Sequence, residues 1–332
     1  MIRKIRYMVL GLMLLVQSQQ STAQEMMHLQ SVVKQEFINP AYNSFKDYIS
    51  INLISRLQWV SLPYHPEVFG TNVYIPFRFK RLGLNATLMR ENIGLRKINS
   101  LDLSLSSNVK VSPKGFLAFG YGIGIKSTSY RTEDIITSYD DEYLLDHEIW
   151  GTDRFTTKLG AFYMNDFMFA GLSANMLVDK TWNEELVIYP SWDLILGAMY
   201  QINRDVLFRP DLVVKYYRGA TQQVNEGEVS NGYAAPVFDL AVNFLFKDRI
   251  WAGLSYRLNM ALTTSLSLKV NKNLMVGYTY EYGVGKGVNQ FSSHGLSLSY
   301  SFSQKAVLYN YQRKAAVRHR IGEVVNRNNL YR

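Results

Sequence analysis

The sequence predicts an all-β protein: a transmembrane antiparallel outer-membrane β-barrel of about 14 strands, with short periplasmic turns and longer extracellular loops. Three observations predict it. Beyond residue 47, apolar and polar residues alternate with period two, as strands with two different faces require. Fourteen such segments can be counted, each of about ten residues, the length at which a tilted strand crosses a bilayer. The connections between them are by turns short and long, and a soluble sandwich has no reason to sort its loops that way.

The N-terminus sets the compartment. Arg3, Lys4 and Arg6 precede a short apolar run over residues 7–16, and Ser21-Thr22-Ala23 supplies small residues for cleavage, so residues 1–23 are expected to be a secretory signal. The run is too short to span a bilayer, and no later stretch approaches 18 apolar residues. The chain has no cysteine, which excludes acylation on cysteine, disulfides and cysteine zinc sites. Residues are 47% hydrophobic, with 23 Tyr, 17 Phe and 5 Trp, a composition that suits a lipid-facing barrel. The net charge of +9 does not imply nucleic acid in an exported chain.

Residues 24–47 are read as a periplasmic N-terminal segment, with the step Asn39-Pro40-Ala41-Tyr42 turning the chain into strand 1 or contacting a partner. The barrel is placed at 48–303, its strands near 48–62, 68–78, 82–91, 99–111, 115–127, 154–165, 167–178, 190–201, 206–218, 236–246, 250–259, 261–270, 273–283 and 294–303. Leu101, Leu103 and Leu105 alternate with Asp102, Ser104 and Ser106. In the next strand Leu117, Phe119, Tyr121, Ile123 and Ile125 oppose Ala118, Gly120, Gly122 and Gly124. The small and polar face is expected to line the lumen.

Tight turns are expected at Lys80-Arg81, Ser112-Pro113-Lys114, Asn165-Asp166, Asn203-Arg204-Asp205, Lys247-Asp248-Arg249 and Asn271-Lys272. Long connections are expected at 128–153, 179–189, 219–235 and 284–293, intermediate ones at 63–67 and 92–98, and a short one around Met260. Asn52, Arg56 and Gln58 on strand 1, and Arg209, Asp211 and Lys215 on strand 9, are expected to face the lumen. Such charges serve internal ion pairing or a conduction path. Trp59, Trp150, Trp192 and Trp251, near strand ends, suit interfacial girdles.

Little in the sequence suggests catalysis. The five His show no ligand spacing, and the acidic cluster over 138–148 lacks the spacing and glycine of an EF-hand. Two glycine-rich stretches, at 120–126 and 283–290, are not followed by a helical pattern, so neither reads as a phosphate loop. No cofactor, metal or catalytic residues are expected. After the barrel, residues 304–332 form a basic periplasmic tail in which seven basic residues, including Arg313, Lys314, Arg318 and Arg320, face only Glu323. The tail is a solubilising segment, a docking element for an acidic periplasmic partner or the cell wall, or a contact to anionic lipid headgroups.

Several stretches carry a resemblance in series. These are Asn39-Pro40-Ala41-Tyr42; Arg56-Leu57-Gln58-Trp59-Val60; Trp251-Ala252-Gly253-Leu254-Ser255-Tyr256-Arg257; Gly277-Tyr278-Thr279-Tyr280; and Ser293-His294. In this order the chain resembles the PorP/SprF family of outer-membrane proteins, associated with type IX secretion and gliding in Bacteroidota. The resemblance implies a non-enzymatic role: helping a secreted adhesin or other cargo with a C-terminal sorting domain to leave the cell or stay attached, with periplasmic or lipoprotein partners below. A solute channel using the polar lumen is the alternative, and an outer-membrane enzyme a third class.

Overall fold

The computed structural model describes residues 31–46, 48–77, 82–130, 152–180, 186–217, 221–225, 228–232, 236–284 and 291–302. The signal segment, the basic tail, the acidic stretch 138–148, the Lys80-Arg81 turn, Trp150 and most of the glycine-rich stretch 283–290 lie outside them.

Among the described residues, seventeen strands follow a short helix, α1 (Ser31–Ile38), and a 3-10 turn (Tyr42–Phe45). In order they are β1 (Ile49–Leu57), β2 (Glu67–Pro76), β3 (Leu82–Ile93), β4 (Arg96–Lys110), β5 (Phe116–Tyr130), β6 (Thr152–Met164), β7 (Met168–Lys180), β8 (Leu186–Ala198), β9 (Tyr200–Gln201), β10 (Val206–Tyr217), β11 (Thr221–Asn225), β12 (Glu228–Gly232), β13 (Val237–Phe246), β14 (Ile250–Arg257), β15 (Ala261–Lys269), β16 (Leu274–Gly283) and β17 (Ser292–Phe302). Strands β11 and β12 pair only with each other, a separate hairpin inside the long connection 219–235. Strand β9 continues β8 past a break at Met199, and both pair with β10. The remaining elements make fourteen antiparallel barrel strands. Closure comes from β10 pairing with β13 and from β1 pairing with β17, Ile49 opposite Phe302 and Leu57 opposite His294.

The two faces follow the alternation. Leu101, Leu103 and Leu105 are exposed on the outer wall, while Asp102, Ser104 and Ser106 are buried inside. Tyr121, Ile123 and Ile125 face outward in the same way, beside Leu266, Leu268, Leu296 and Leu298 on β15 and β17. In water this apolar surface would be a liability; in a bilayer it is the lipid contact. Tyr256, Tyr280 and Tyr282 sit near the loop rim and Tyr200, Phe246, Tyr300 and Phe302 near the turn rim, two aromatic belts flanking the apolar band.

The turn rim is built by residues suited to tight reversals. Asn165 Oδ1 accepts from the backbone N–H of Phe167 and Met168, each at 2.8 Å, and Asn271 does the same for Asn273 and Leu274. Asn203 Oδ1 accepts from Asp205 N–H at 2.9 Å. Each is an Asx turn that replaces hydrogen bonds the ladder cannot supply at its end. Lys247 and Asp248 both adopt positive φ, 46° and 54°, closing a hairpin of the primed kind between β13 and β14.

Several expectations need correction. Strand β1 ends at Leu57, not near 62, because Trp59 lies in the left-handed region (φ 55°) and the chain leaves the sheet there. The connection 92–98 is a tight turn at Gly94 and Leu95, since β3 and β4 extend past the membrane span and pair as far as Ile93 and Arg96. Trp251 does not belong to a girdle. It is 2% exposed and faces the lumen, because Ile250, Leu254 and Tyr256 take the outer face of β14. Trp192 is 43% exposed on the outer wall.

Candidate functional site

The lumen is occupied by the chain's own N-terminal segment. Proline disfavours helix for the residue before it, so α1 stops ahead of the Asn39-Pro40 step. Asn39 Oδ1 then accepts from Ala41 N–H at 2.9 Å, a local turn, and Tyr42 N–H donates to Asn39 O at 3.2 Å to start the 3-10 turn. The result is a compact knot, and Asn39, Ala41, Tyr42, Asn43 and Phe45 are all buried. The box, read from the sequence as part of a periplasmic N-terminal segment, lies inside the barrel, several residues above the turn rim.

The wall is shaped to receive it. Asn39 Nδ2 donates to Ala161 O on β6 at 3.1 Å and to Leu172 O on β7 at 3.2 Å. A side chain reaches wall carbonyls this way only where the wall has no side chains of its own. Gly120 on β5 and Gly160 on β6 face each other across the ladder, while Gly171 on β7 pairs with Phe162 and makes room for its ring and for Asn39 Nδ2. A Cβ at Gly120 would stand 2.5 Å from Ala41 N, and one at Gly160 only 2.3 Å from Asn39 Oδ1 and 2.8 Å from Pro40 Cδ. Glycine is required for this approach.

Polar contacts hold the opposite side. Asn43 Nδ2 donates to Asn85 Oδ1 at 3.0 Å, and Asn72 Nδ2 reaches the same oxygen at 2.8 Å and Thr87 Oγ1 at 2.9 Å. Asn108 Nδ2 donates to Ser44 O at 2.5 Å. Lys46 Nζ pairs with Glu36 at 2.6 Å and donates to Ser50 Oγ at 3.0 Å, while Asn52 of β1 donates to Glu36. Apolar contacts complete the fit: Phe37 packs with Ile54, Val68 and Met89, Tyr42 and Phe45 meet Phe162 edge-on at 5.3 and 5.7 Å, and Ile38 and Ala41 join the same buried cluster.

Arg209, Asp211 and Lys215, read as lumen-facing, are all buried inside. The Arg209 guanidinium lies 5.0 Å from the Phe169 ring centre and 5.9 Å from that of Trp251, an aromatic cradle that suits a desolvated cation. Asn243 donates to Asp211 at 2.7 Å, and Lys215 Nζ is 3.6 Å from Asp193. Lys158 pairs with Asp102 at 2.7 Å.

Nearer the loop rim, Arg56 joins a trio absent from the sequence reading. Arg56 Nη2 is 2.7 Å from Glu281 Oε1, Arg257 Nη2 is 3.2 Å from Glu281 Oε2, and Thr263 Oγ1 donates to the same carboxylate at 3.3 Å. Arg257 closes the Trp251–Arg257 motif and Glu281 follows Gly277-Tyr278-Thr279-Tyr280, so three motif strands meet at one carboxylate. Gln58 is buried, with its backbone N–H on Pro66 O at 2.8 Å. Trp59 is read from the sequence as a girdle residue facing the membrane interface. It is half-buried instead, its N–H donating to Ser293 Oγ at 3.2 Å and its ring 6.5 Å from Phe291. The neighbouring His294 turns outward against Tyr278 and Tyr280. Arg313, Lys314, Arg318 and Arg320 lie outside the described residues.

A family model described as type IX secretion system membrane protein PorP/SprF matches residues 21–300. No curated protein matches the chain. Among solved structures, the CymD monoaromatic hydrocarbon channel is similar at 12% identity and a TM-score of 0.47, covering 84% of this chain and 99% of that one. A FadL homologue from Pseudomonas aeruginosa is similar at 12% identity and 0.47, covering 81% and 94%. The KdgM porin matches at 11% identity and 0.39, covering 76% and 99%.

Proposed function

Because the chain belongs to the PorP/SprF family of type IX secretion membrane proteins and folds as an outer-membrane β-barrel, we propose that it is a non-enzymatic binding and tethering component of that machinery. In this role it holds, or helps to export, a secreted surface protein with a C-terminal sorting domain, and connects below to periplasmic partners through its basic tail. The observation that carries the reading is the family match, which spans the N-terminal segment and the barrel alike.

The lumen favours this reading over a solute channel. Its turn-side half is filled by residues 35–46 and by a buried cluster of Phe162, Phe169, Met199, Leu245 and Trp251 around Arg209. Its charges are paired with one another or cradled by rings, an arrangement suited to stabilising a wall rather than to handing ions along. Deletion of the gene in its host tests the role. The tether reading expects one specific surface adhesin to appear in the medium, while small-solute uptake is unchanged. Full surface retention of every secreted protein in the deletion strain would refute it.

A further inference from the structure

The N-terminal segment is held in the barrel by backbone and amide contacts as well as by an apolar cluster. Its seat on β5–β7 is a bare patch of backbone at Gly120 and Gly160, bordered by Gly171 under the Phe162 ring and read by one asparagine through two carbonyls. Its other side is an amide ladder, Asn43 to Asn85 to Asn72 and Asn108 to Ser44. The apolar part is Phe37 on one wall, and Ile38, Ala41, Tyr42 and Phe45 at the edge of the cluster around Phe162. The fit leaves buried polar atoms unpaired among the described residues: both ends of the Gln35 amide, and the Oδ1 atoms of Asn43, Asn72 and Asn108. Buried unpaired polar atoms weaken an assembly in proportion to the water they gave up. A polar contact surface with orphaned amides resembles an interface that forms and separates more than a core that never opens.

The segment contributes no strand to the closed sheet. The β1–β17 and β10–β13 ladders complete the barrel by main-chain pairing alone, and a barrel of this size encloses an interior wider than one layer of side chains fills.

We propose that residues 35–46 are a displaceable plug: the glycine wall of β5–β7 is a peptide-binding seat keyed to the Asn39-Pro40 step, and its occupancy closes the barrel to solutes. The seat takes a short segment that is turned at an Asn-Pro step, lays its backbone against Gly120 and its Asn and Pro side chains against Gly160, and offers an amide donor to Ala161 O and Leu172 O. The chain's own segment is the resident ligand. This goes beyond the tethering role and stands or falls separately, since it concerns ion flow and not surface retention.

The test is conductance of the full chain in planar bilayers, with folding followed by heat-modifiable migration on gels. The wild type is expected to be silent. Replacing residues 35–46 by a Gly/Ser linker is expected to give stepwise conductance. So are Gly160→Val, which fills the seat, and Asn39→Asp, which keeps the local turn to Ala41 but loses the donor to both wall carbonyls. A synthetic peptide of residues 35–46 added to the linker variant is expected to reclose it. Wild-type conductance equal to that of the variants, or silence of a folded linker variant, would overturn the proposal. Silence of Asn39→Asp beside a conducting linker variant would overturn the keying to Asn39. Should the variants not fold, the wild type decides. It is expected to conduct at urea concentrations below those that unfold the barrel, and silence up to barrel unfolding counts against a displaceable plug.

Discussion

Arg56 on β1 and Glu281 on β16 lie 225 residues apart in sequence and 2.7 Å apart in space, and they share that carboxylate with Arg257 of β14. The trio straddles the closing seam of the barrel, because β17 lies between β16 and β1. Both side chains of the Arg56–Glu281 pair are almost entirely buried. Removing the carboxylate leaves two buried guanidinium groups with Asp239 of β13, opposite Arg257, as their remaining neighbouring carboxylate. Glu281→Gln is therefore expected to cost about 3 kcal/mol of stability, read as a lower urea midpoint at unchanged slope. Thr263→Val, which removes one accessory hydrogen bond, is expected to cost about 1 kcal/mol. Equal effects would mean that the ion pairs do not stabilise the seam.

The outer wall predicts a depth dependence. Leu266 is 55% exposed in the middle of β15, and Val270 is 56% exposed at the turn rim. Arginine at a lipid-facing midplane position costs about 2–4 kcal/mol and near the interface about 0–1. Leu266→Arg is expected to slow or block folding into phosphatidylcholine vesicles, and Val270→Arg to fold almost as the wild type does. The same penalty at both sites would deny that the apolar band is the membrane contact.

The β13–β14 turn stores conformational cost that the sequence does not relieve. Lys247 and Asp248 both adopt positive φ, where Asn and Gly are preferred. The double change Lys247→Asn with Asp248→Gly is expected to stabilise the barrel by about 1 kcal/mol in all. A raised urea midpoint checks it; an unchanged or lowered one means that the side chains at this rim contribute more than the backbone strain costs.

Ser293 and Trp59 link the two ends of the barrel sequence at the loop rim. The hydroxyl of Ser293 accepts from the Trp59 N–H, and Val60 N–H reaches Ser292 O at 3.1 Å. Ser293→Ala is expected to loosen the first surface connection at a cost of about 1 kcal/mol. Protease added to intact cells is then expected to cut within residues 58–66 faster than in the wild type, with the barrel core uncut.

The barrel was legible in the sequence because its signal is local. Period two at Leu101 to Ser106 follows from the pleat alone, and Asn165 and Asn271 mark turns by chemistry they carry themselves. The plug was not legible, because nothing in residues 35–46 says what lies opposite them. The complementary signal was in the strands: Gly120 and Gly160 read as generically small lumen residues, yet glycines paired on neighbouring strands leave a hollow that something has to fill. The Arg56–Glu281–Arg257 trio was hidden for a related reason, since strand order and register, not composition, bring those residues together. Residues 92–98 read as a loop because Arg96 and Lys97 are polar, although hydrogen bonding carries the strands well beyond the bilayer.

Trp251 shows where two sequence rules conflict and which one wins. Aromatics near strand ends tend to sit at the membrane interface, but alternation along Ile250, Leu254 and Tyr256 sends Trp251 inward, where it packs beside Arg209. Trp192, at 43% exposure, contacts lipid, and Trp251, at 2%, does not. In vesicles made with brominated lipids, Trp192→Phe is expected to remove a clear share of the quenchable emission, and Trp251→Phe to leave that share unchanged. A fall with Trp251→Phe would put its ring on the outer wall and break the β14 alternation. Removing the ring altogether strips one wall of the Arg209 cradle as well as opening a cavity, so Trp251→Ala is expected to cost about 3 kcal/mol or more. Trp192→Ala, whose lost contacts are replaced by lipid, is expected to cost less.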